Sequence, residues 1–172
     1  MRHRAIPNIA IEFIKQWEGV SLKAYRDSGG IWTIGYGHTS RVKQEDSITQ
    51  LQADEFLKQD LFQASRAIVR LTNLYLNDFQ YTALLSLVFN IGIGAYQRST
   101  LRQVINRGEL SRVSGEFIKW SKDHMGRTQK GLLKRRKAEA RWFMKGVPQM
   151  PTKDSMIPVV LKNKSDTTNV VE

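Results

Sequence analysis

From about Asn77 to Asn90 the chain runs NDFQYTALLSLVFN, apolar on nearly every side once its first residues are passed. A helix with one apolar stripe can lie on a surface, but a helix apolar all round must be enclosed. The segment therefore predicts the centre of a core, with the other elements arranged around it. The apolar stretch continues over 83–96, interrupted by Ser86 and Asn90. That length falls near the ~10–14 residue class of buried core helices rather than membrane spans.

The pattern around this centre is helical from Thr49 onward. Thr49 and Gln52 have the spacing of a capping box. Leu51, Phe56, Leu57, Leu61, Ala64, Ile68 and Leu71 mark one apolar side of a long helix ending near Arg70. Shorter helices are expected at about 99–107, 112–121 and 130–144, separated by Gly92 and Gly94, by Gly108, and by a loop at 124–126.

Before Thr49 the signals differ. Asn8 is placed to cap a first helix carrying Ile9, Phe13, Ile14 and Trp17, with Gly19 as its stop. A strand-like run at 22–26, the turn-forming DSGG at 27–30 and the β-branched and aromatic run at 31–36 read as a hairpin. A third strand is expected near 41–43. The fold class is α+β: a small hairpin lobe, a larger helical lobe and a groove between them.

Length and composition fit one domain over 1–147, with the β lobe at about 20–45, and a poorly ordered tail at 148–172 after Gly146-Val147-Pro148. With no cysteine, disulfides, thiolate metal sites and a cysteine nucleophile are excluded. Only three histidines, His3, His38 and His124, leave no basis for a metal site, and no cofactor is expected.

The net charge of +11 implies a polyanionic partner. It is unevenly spread: residues 90–147 hold fourteen basic against four acidic residues, while residues 1–89 hold ten against nine. The densest run is 127–145, which reads either as a solvated helix face or as an anion-facing surface. At the start of the chain, Asn8, Glu12 and Lys15 break any signal-peptide core, so synthesis and folding in the cytoplasm are expected, without a signal-anchor.

Three residues could carry chemistry. Glu18 is expected on the last turn of the first helix, where the macrodipole disfavours a carboxylate by roughly 0.3–1 kcal/mol and so raises its pKa. Trp17 beside it adds desolvation in the same direction. Asp27 opens the hairpin turn and Thr33 lies on the returning strand. Each also has a plain structural reading: a surface glutamate at a frayed helix end, a turn aspartate, a β-branched strand residue. As a set, a protonatable carboxyl facing a second carboxylate with a hydroxyl beside it meets the needs of glycoside hydrolysis. One carboxyl protonates the leaving oxygen and the other orients or deprotonates a water.

The run EGVSLKAYRD (18–27) continued by SGGIWTIGYGHT (28–39) resembles the signature of phage-type lysozymes, the endolysins of glycoside hydrolase family 24. The Glu–eight residues–Asp–five residues–Thr spacing is met without a gap. LLSLVFNIGIGAYQRSTL (84–101) is similar to the family's central helix and the connection after it, and GLLKRRKAEARWF (131–143) to its basic C-terminal helix. The resemblance covers roughly residues 8–145.

It implies a lysozyme-like fold and cleavage of the β-1,4 bond between N-acetylmuramic acid and N-acetylglucosamine in peptidoglycan, for host cell lysis. By the same resemblance Glu18 is the general acid, and Asp27 with Thr33 holds the attacking water. Phe89 and Asn90 align with groove-lining, substrate-binding positions, although Phe89 also reads as core. His38 is expected in a structural polar contact, and Gly35 and Gly37 in close backbone packing. Without a signal-anchor, release to the wall requires a separate membrane-permeabilising protein, a holin.

The protein is expected to be a monomer whose partner is bacterial peptidoglycan. Anionic lipopolysaccharide or wall polymers are further partners for the basic 127–145 segment. The rival readings are a nucleic-acid-binding protein, for which no motif is present and no nucleic acid is expected, and an inactive wall-binding module.

Overall fold

The computed structural model describes residues 4–27, 29–123 and 125–145. The expected tail at 148–172 and the residues His3 and His124 lie outside these. Helices α1 (Asn8–Lys15), α2 (Gln50–Leu71), α3 (Asp78–Ile91), α4 (Ile93–Arg98), α5 (Thr100–Asn106), α6 (Leu110–Lys119) and α7 (Lys130–Lys145) accompany strands β1 (Ser21–Arg26) and β2 (Trp32–Gly35).

Helix α3 is the enclosed centre its composition demands. Asn77 caps it, accepting from the Gln80 N–H at 3.0 Å while the Gln80 side chain accepts from the Asn77 N–H at 3.1 Å. Every residue from 80 to 88 is buried. It packs against α1, α2, α4 and α7, and Phe13, Leu57, Leu84, Tyr96, Phe117 and Phe143 belong to the one core cluster. Among the described residues no helix is long and apolar enough to cross a membrane.

Helix α2 starts with the expected capping box: Thr49 accepts from the Gln52 N–H, and Gln52 accepts from the Thr49 N–H at 2.8 Å. Its buried stripe runs through Ala53, Leu57, Leu61, Ala64 and Ile68. Leu51 is not part of it: at 71% exposed it sits on the solvent side of the first turn, a hundred degrees per residue away from Ala53 and Leu57.

Three other boundaries differ from the sequence reading. Pro7, not Asn8, precedes the first helical residue, and no side chain caps α1. Pro7 supplies a fixed φ, and the Ala10 N–H bonds its carbonyl at 2.9 Å. The helix ends at Lys15 rather than near Gly19. A helix, α4, stands where Gly92 and Gly94 suggested only a break. Gly92, at φ 85°, both ends α3 and opens α4, whereas Gly94 lies inside α4.

The third strand near 41–43 is absent. Arg41 has φ 60°, and the Asp46 side chain accepts from the Lys43 N–H at 2.7 Å, closing a turn there. The edge of β1 is taken instead by 46–48, with the Ala24 N–H on the Asp46 carbonyl and the Ile48 N–H on the Leu22 carbonyl, each 2.9 Å. Strands β1 and β2 pair antiparallel, with Tyr25 opposite Thr33 and Arg26 opposite Trp32.

Helix α7 divides its charges between two faces. Arg135, Arg136, Glu139, Ala140 and Phe143 are buried, a spacing that places them on one side. Lys134, Lys137, Arg141 and Lys145 are exposed. The basic 127–145 segment is thus neither wholly solvated nor wholly anion-facing, because two of its arginines are internal.

Candidate active site

Glu18 lies three residues beyond the last residue of α1, not on its last turn. The macrodipole field, which falls off within the terminal turn, therefore does not govern this residue. Its environment comes instead from the other end of the chain. Arg135 Nη1 donates to Glu18 Oε1 at 2.7 Å, and the glutamate side chain remains 21% exposed. The residue opens into a cleft of about 410 Å³ shared with Gly19, Val20, Ser21, Tyr25, Tyr36 and Gly37.

Asp27 shapes the hairpin turn. Its Oδ1 accepts from the N–H groups of Gly29 and Ile31, both at 2.9 Å, so the turn reading of this residue holds geometrically. Thr33 is 3% exposed and donates to the Ile31 carbonyl at 3.1 Å. Asp27 and Thr33 therefore grip the same residue, one by its N–H and the other by its carbonyl. Neither lines the 410 Å³ cleft, but directly paired side chains share a sheet face. Thr33 is paired with Tyr25, which does line it.

Tyr25, 43% exposed in the cleft, was not singled out from the sequence. The turn expected at 27–30 would place 25 opposite 32, whereas the observed register places Tyr25 opposite Thr33. Arg135 had no signal either, since nothing in KRRK distinguishes the two arginines that turn inward from the two lysines that do not.

Behind Glu18 stands a buried ion cluster. Glu139 Oε1 accepts from Arg135 Nε at 3.1 Å and from Ser86 Oγ at 2.6 Å. Arg135 Nη2 donates to the Ser86 carbonyl at 3.1 Å. Arg136 Nε lies 3.0 Å from Glu139 Oε2, and Arg136 Nη2 donates to Asn90 Oδ1 at 2.9 Å. Burial pushes the Glu139 carboxyl above the usual carboxylate range, with Arg136, Ser86 and Arg135 pulling the other way. Burial likewise brings the Arg136 guanidinium down to about 10, against the pull of Glu139.

Asn90 is exposed but engaged by Arg136, and Phe89 is half-buried against the core. Neither lines the cleft of Glu18. His38 Nδ1 is 2.9 Å from Asp60 Oδ2, and its ring stacks on Phe56 at 4.4 Å, a structural role. Close packing does not explain the two glycines: a side chain at Gly35 would meet only ordinary contacts and Gly37 has open space around it, whereas their φ values of 65° and 99° favour glycine at both.

The chain matches the family model described as Phage lysozyme over residues 15–139. The endolysin of Acyrthosiphon pisum secondary endosymbiont phage 1 is 44% identical over 133 residues, 76% of this chain and 91% of that protein. The SAR-endolysin of Enterobacteria phage P21 is 32% identical over 123 residues, 71% of this chain and 74% of that protein. Among solved structures, the endolysin from Escherichia coli O157:H7 phage FAHEc1 superposes with a TM-score of 0.76 at 33% identity, covering 85% of this chain and 97% of that one.

Proposed function

The chain belongs to the phage lysozyme family and is a peptidoglycan hydrolase of the lysozyme type, and on that premise we propose that Glu18 is its general acid and that Asp27, with Thr33, holds the attacking water. The observation that carries this reading is a carboxyl group at a cleft whose one oxygen is pinned by a buried arginine. With Oε1 committed to Arg135, Oε2 is the oxygen left to present a proton to the glycosidic oxygen between N-acetylmuramic acid and N-acetylglucosamine.

As that bond breaks, a water oxygen attacks the anomeric carbon and its proton passes to the Asp27 carboxylate. Asp27 Oδ1 already serves two amides, so Oδ2 is the base. Thr33, its own proton donated to Ile31, can only accept from the water. One water is consumed, leaving a new reducing end and a free hydroxyl.

The test is clearing of a peptidoglycan suspension by the wild-type protein and by a folded Glu18→Gln variant. Lysis by the first alone, with muramic acid at the new reducing ends in the mass spectrum, supports the reading. An anhydro-muramic product would replace hydrolysis by transglycosylation.

The proposal extends to partners and delivery. The exposed cations of α7 line a groove of about 700 Å³ against Ser114, Gly115 and Ile118 of α6. This face, rather than the whole 127–145 segment, is assigned to anionic wall polymers or lipopolysaccharide phosphates. Lys134→Glu with Lys137→Glu should weaken and flatten the salt dependence of pelleting with walls. The protein acts as a monomer, which sedimentation checks, and waits in the host cytoplasm for a holin. Periplasmic protein in cells without a holin would overturn that route.

A further inference from the structure

The buried cluster joins two places that the chain keeps far apart. Along it the charges alternate: Glu18, Arg135, Glu139, Arg136, and then the amide of Asn90. Glu139 is the middle of this series. It is fully buried and stands four residues after Arg135 and three after Arg136 on the same helix, so it meets both guanidinium groups. One carboxylate oxygen faces each of them.

A guanidinium is a rigid planar fork, so fixing two of its nitrogens fixes the direction of the third. Glu139 and Ser86 hold Arg135 by Nε and Nη2, which leaves Nη1 aimed at Glu18. The same carboxylate draws the adjacent Arg136 to its other oxygen, and Arg136 reaches Asn90 from there. Two neighbouring arginines in a dry interior repel each other. Without a carboxylate between them, only Ser86 and Glu18 would hold Arg135, and only Asn90 would hold Arg136, against that repulsion.

We propose that Glu139 is a positioning residue of the hydrolytic site, holding the two arginines of α7 apart so that Arg135 fixes the carboxyl of Glu18 while Arg136 holds Asn90. The proposal rests on the reading of Glu18 as the acid. Glu139 acts only through the arginines and touches no substrate. An amide cannot replace it: a glutamine side chain offers one acceptor and one donor, so one of the two arginines would always face an N–H.

The test is steady-state kinetics on soluble peptidoglycan fragments with Glu139→Gln, at a temperature well below its melting point. A kcat lowered by about tenfold or more, with KM changed by less than about twofold, is expected. The same substitution in an Arg135→Lys background should cost less than about twofold further, because an ammonium has no planar fork to orient. Wild-type kcat in folded Glu139→Gln overturns the proposal, as do equal losses in the two backgrounds.

If Glu139→Gln does not fold, Glu139→Asp keeps the negative charge on a shorter stem that cannot reach both guanidinium groups at once, and the same loss of kcat at a near-constant KM is expected of it. Wild-type kcat in folded Glu139→Asp overturns the proposal. Glu18→Gln is measured alongside. If that variant keeps its activity, the acid assignment has failed, whereas a neutral Glu139→Gln in an enzyme dependent on Glu18 defeats the positioning role alone.

Discussion

The two carboxylates of the site are held in opposite ways. Asp27 is fixed by the hairpin it belongs to, through amides two and four residues ahead. Glu18 is fixed by a guanidinium 117 residues away, delivered by the last described helix and backed by a buried carboxylate. Local hydrogen bonds form as soon as the turn forms. A remote buried ion pair exists only when the whole helical lobe has assembled. The hairpin half of the site should therefore tolerate changes that the acid half does not.

The sharpest break of this contrast is Glu18→Gln. Turnover is expected to fall by about 10²–10⁴-fold, the usual worth of a general acid, while the melting temperature stays near wild type. Arg135→Ala comes next. It strands Glu139 with fewer partners in a dry interior, and urea unfolding should report a loss of about 3–5 kcal/mol.

On the hairpin side the expected effects are smaller. Asp27→Asn keeps the Oδ1 acceptor for the turn amides but removes the carboxylate proposed as the base. Activity should drop by about 100-fold with little change in unfolding midpoint, separating the chemistry of this residue from its turn role. Thr33→Val removes one buried hydroxyl bonded to Ile31 and should cost about 1 kcal/mol, with Thr33→Ser recovering most of it.

The smallest effect is pH-dependent and tests the other anchor of the acid segment. Lys15, the last residue of α1, donates to Asp54 of α2 at 2.7 Å. That bond holds the Asp54 carboxyl below the usual carboxylate range and the Lys15 ammonium above its ordinary value. For a depressed carboxyl the added stability is present above its unfolded pKa and is lost as pH falls through the folded one. Urea midpoints of wild type and Lys15→Met should differ by less than about 1 kcal/mol at pH 7 and converge in strong acid.

The same contrast explains what could be read in advance. The enclosed helix α3, the capping box at Thr49, the hairpin and the spacing of Glu18, Asp27 and Thr33 are all written in short-range chemistry. The reading failed where a distant neighbour decides. Leu51 fits an apolar count but faces solvent, because Ala53 and Leu57 set the buried side. The edge of β1 went to 46–48 because Asp46 had already closed a turn on Lys43. Glu18 lies beyond the end of α1, and a distant arginine rather than the helix end sets its surroundings. Burial of Arg135 and Arg136 could not be told from the exposure of Lys134 and Lys137, since charge reveals nothing about which face a helix turns inward.

The placement of Arg135 on α7 also has a consequence for the order in which the protein comes into being. A ribosome makes the hairpin and Glu18 early and α7 late. A chain that stops short of residue 130 carries Glu18, Asp27 and Thr33 in full, yet lacks the Nη1 that holds one oxygen of Glu18 and the helix that covers one flank of α3. The contact that fixes Glu18 is thus the last part of the site to be made, and an unfinished copy has the letters of the site without its geometry.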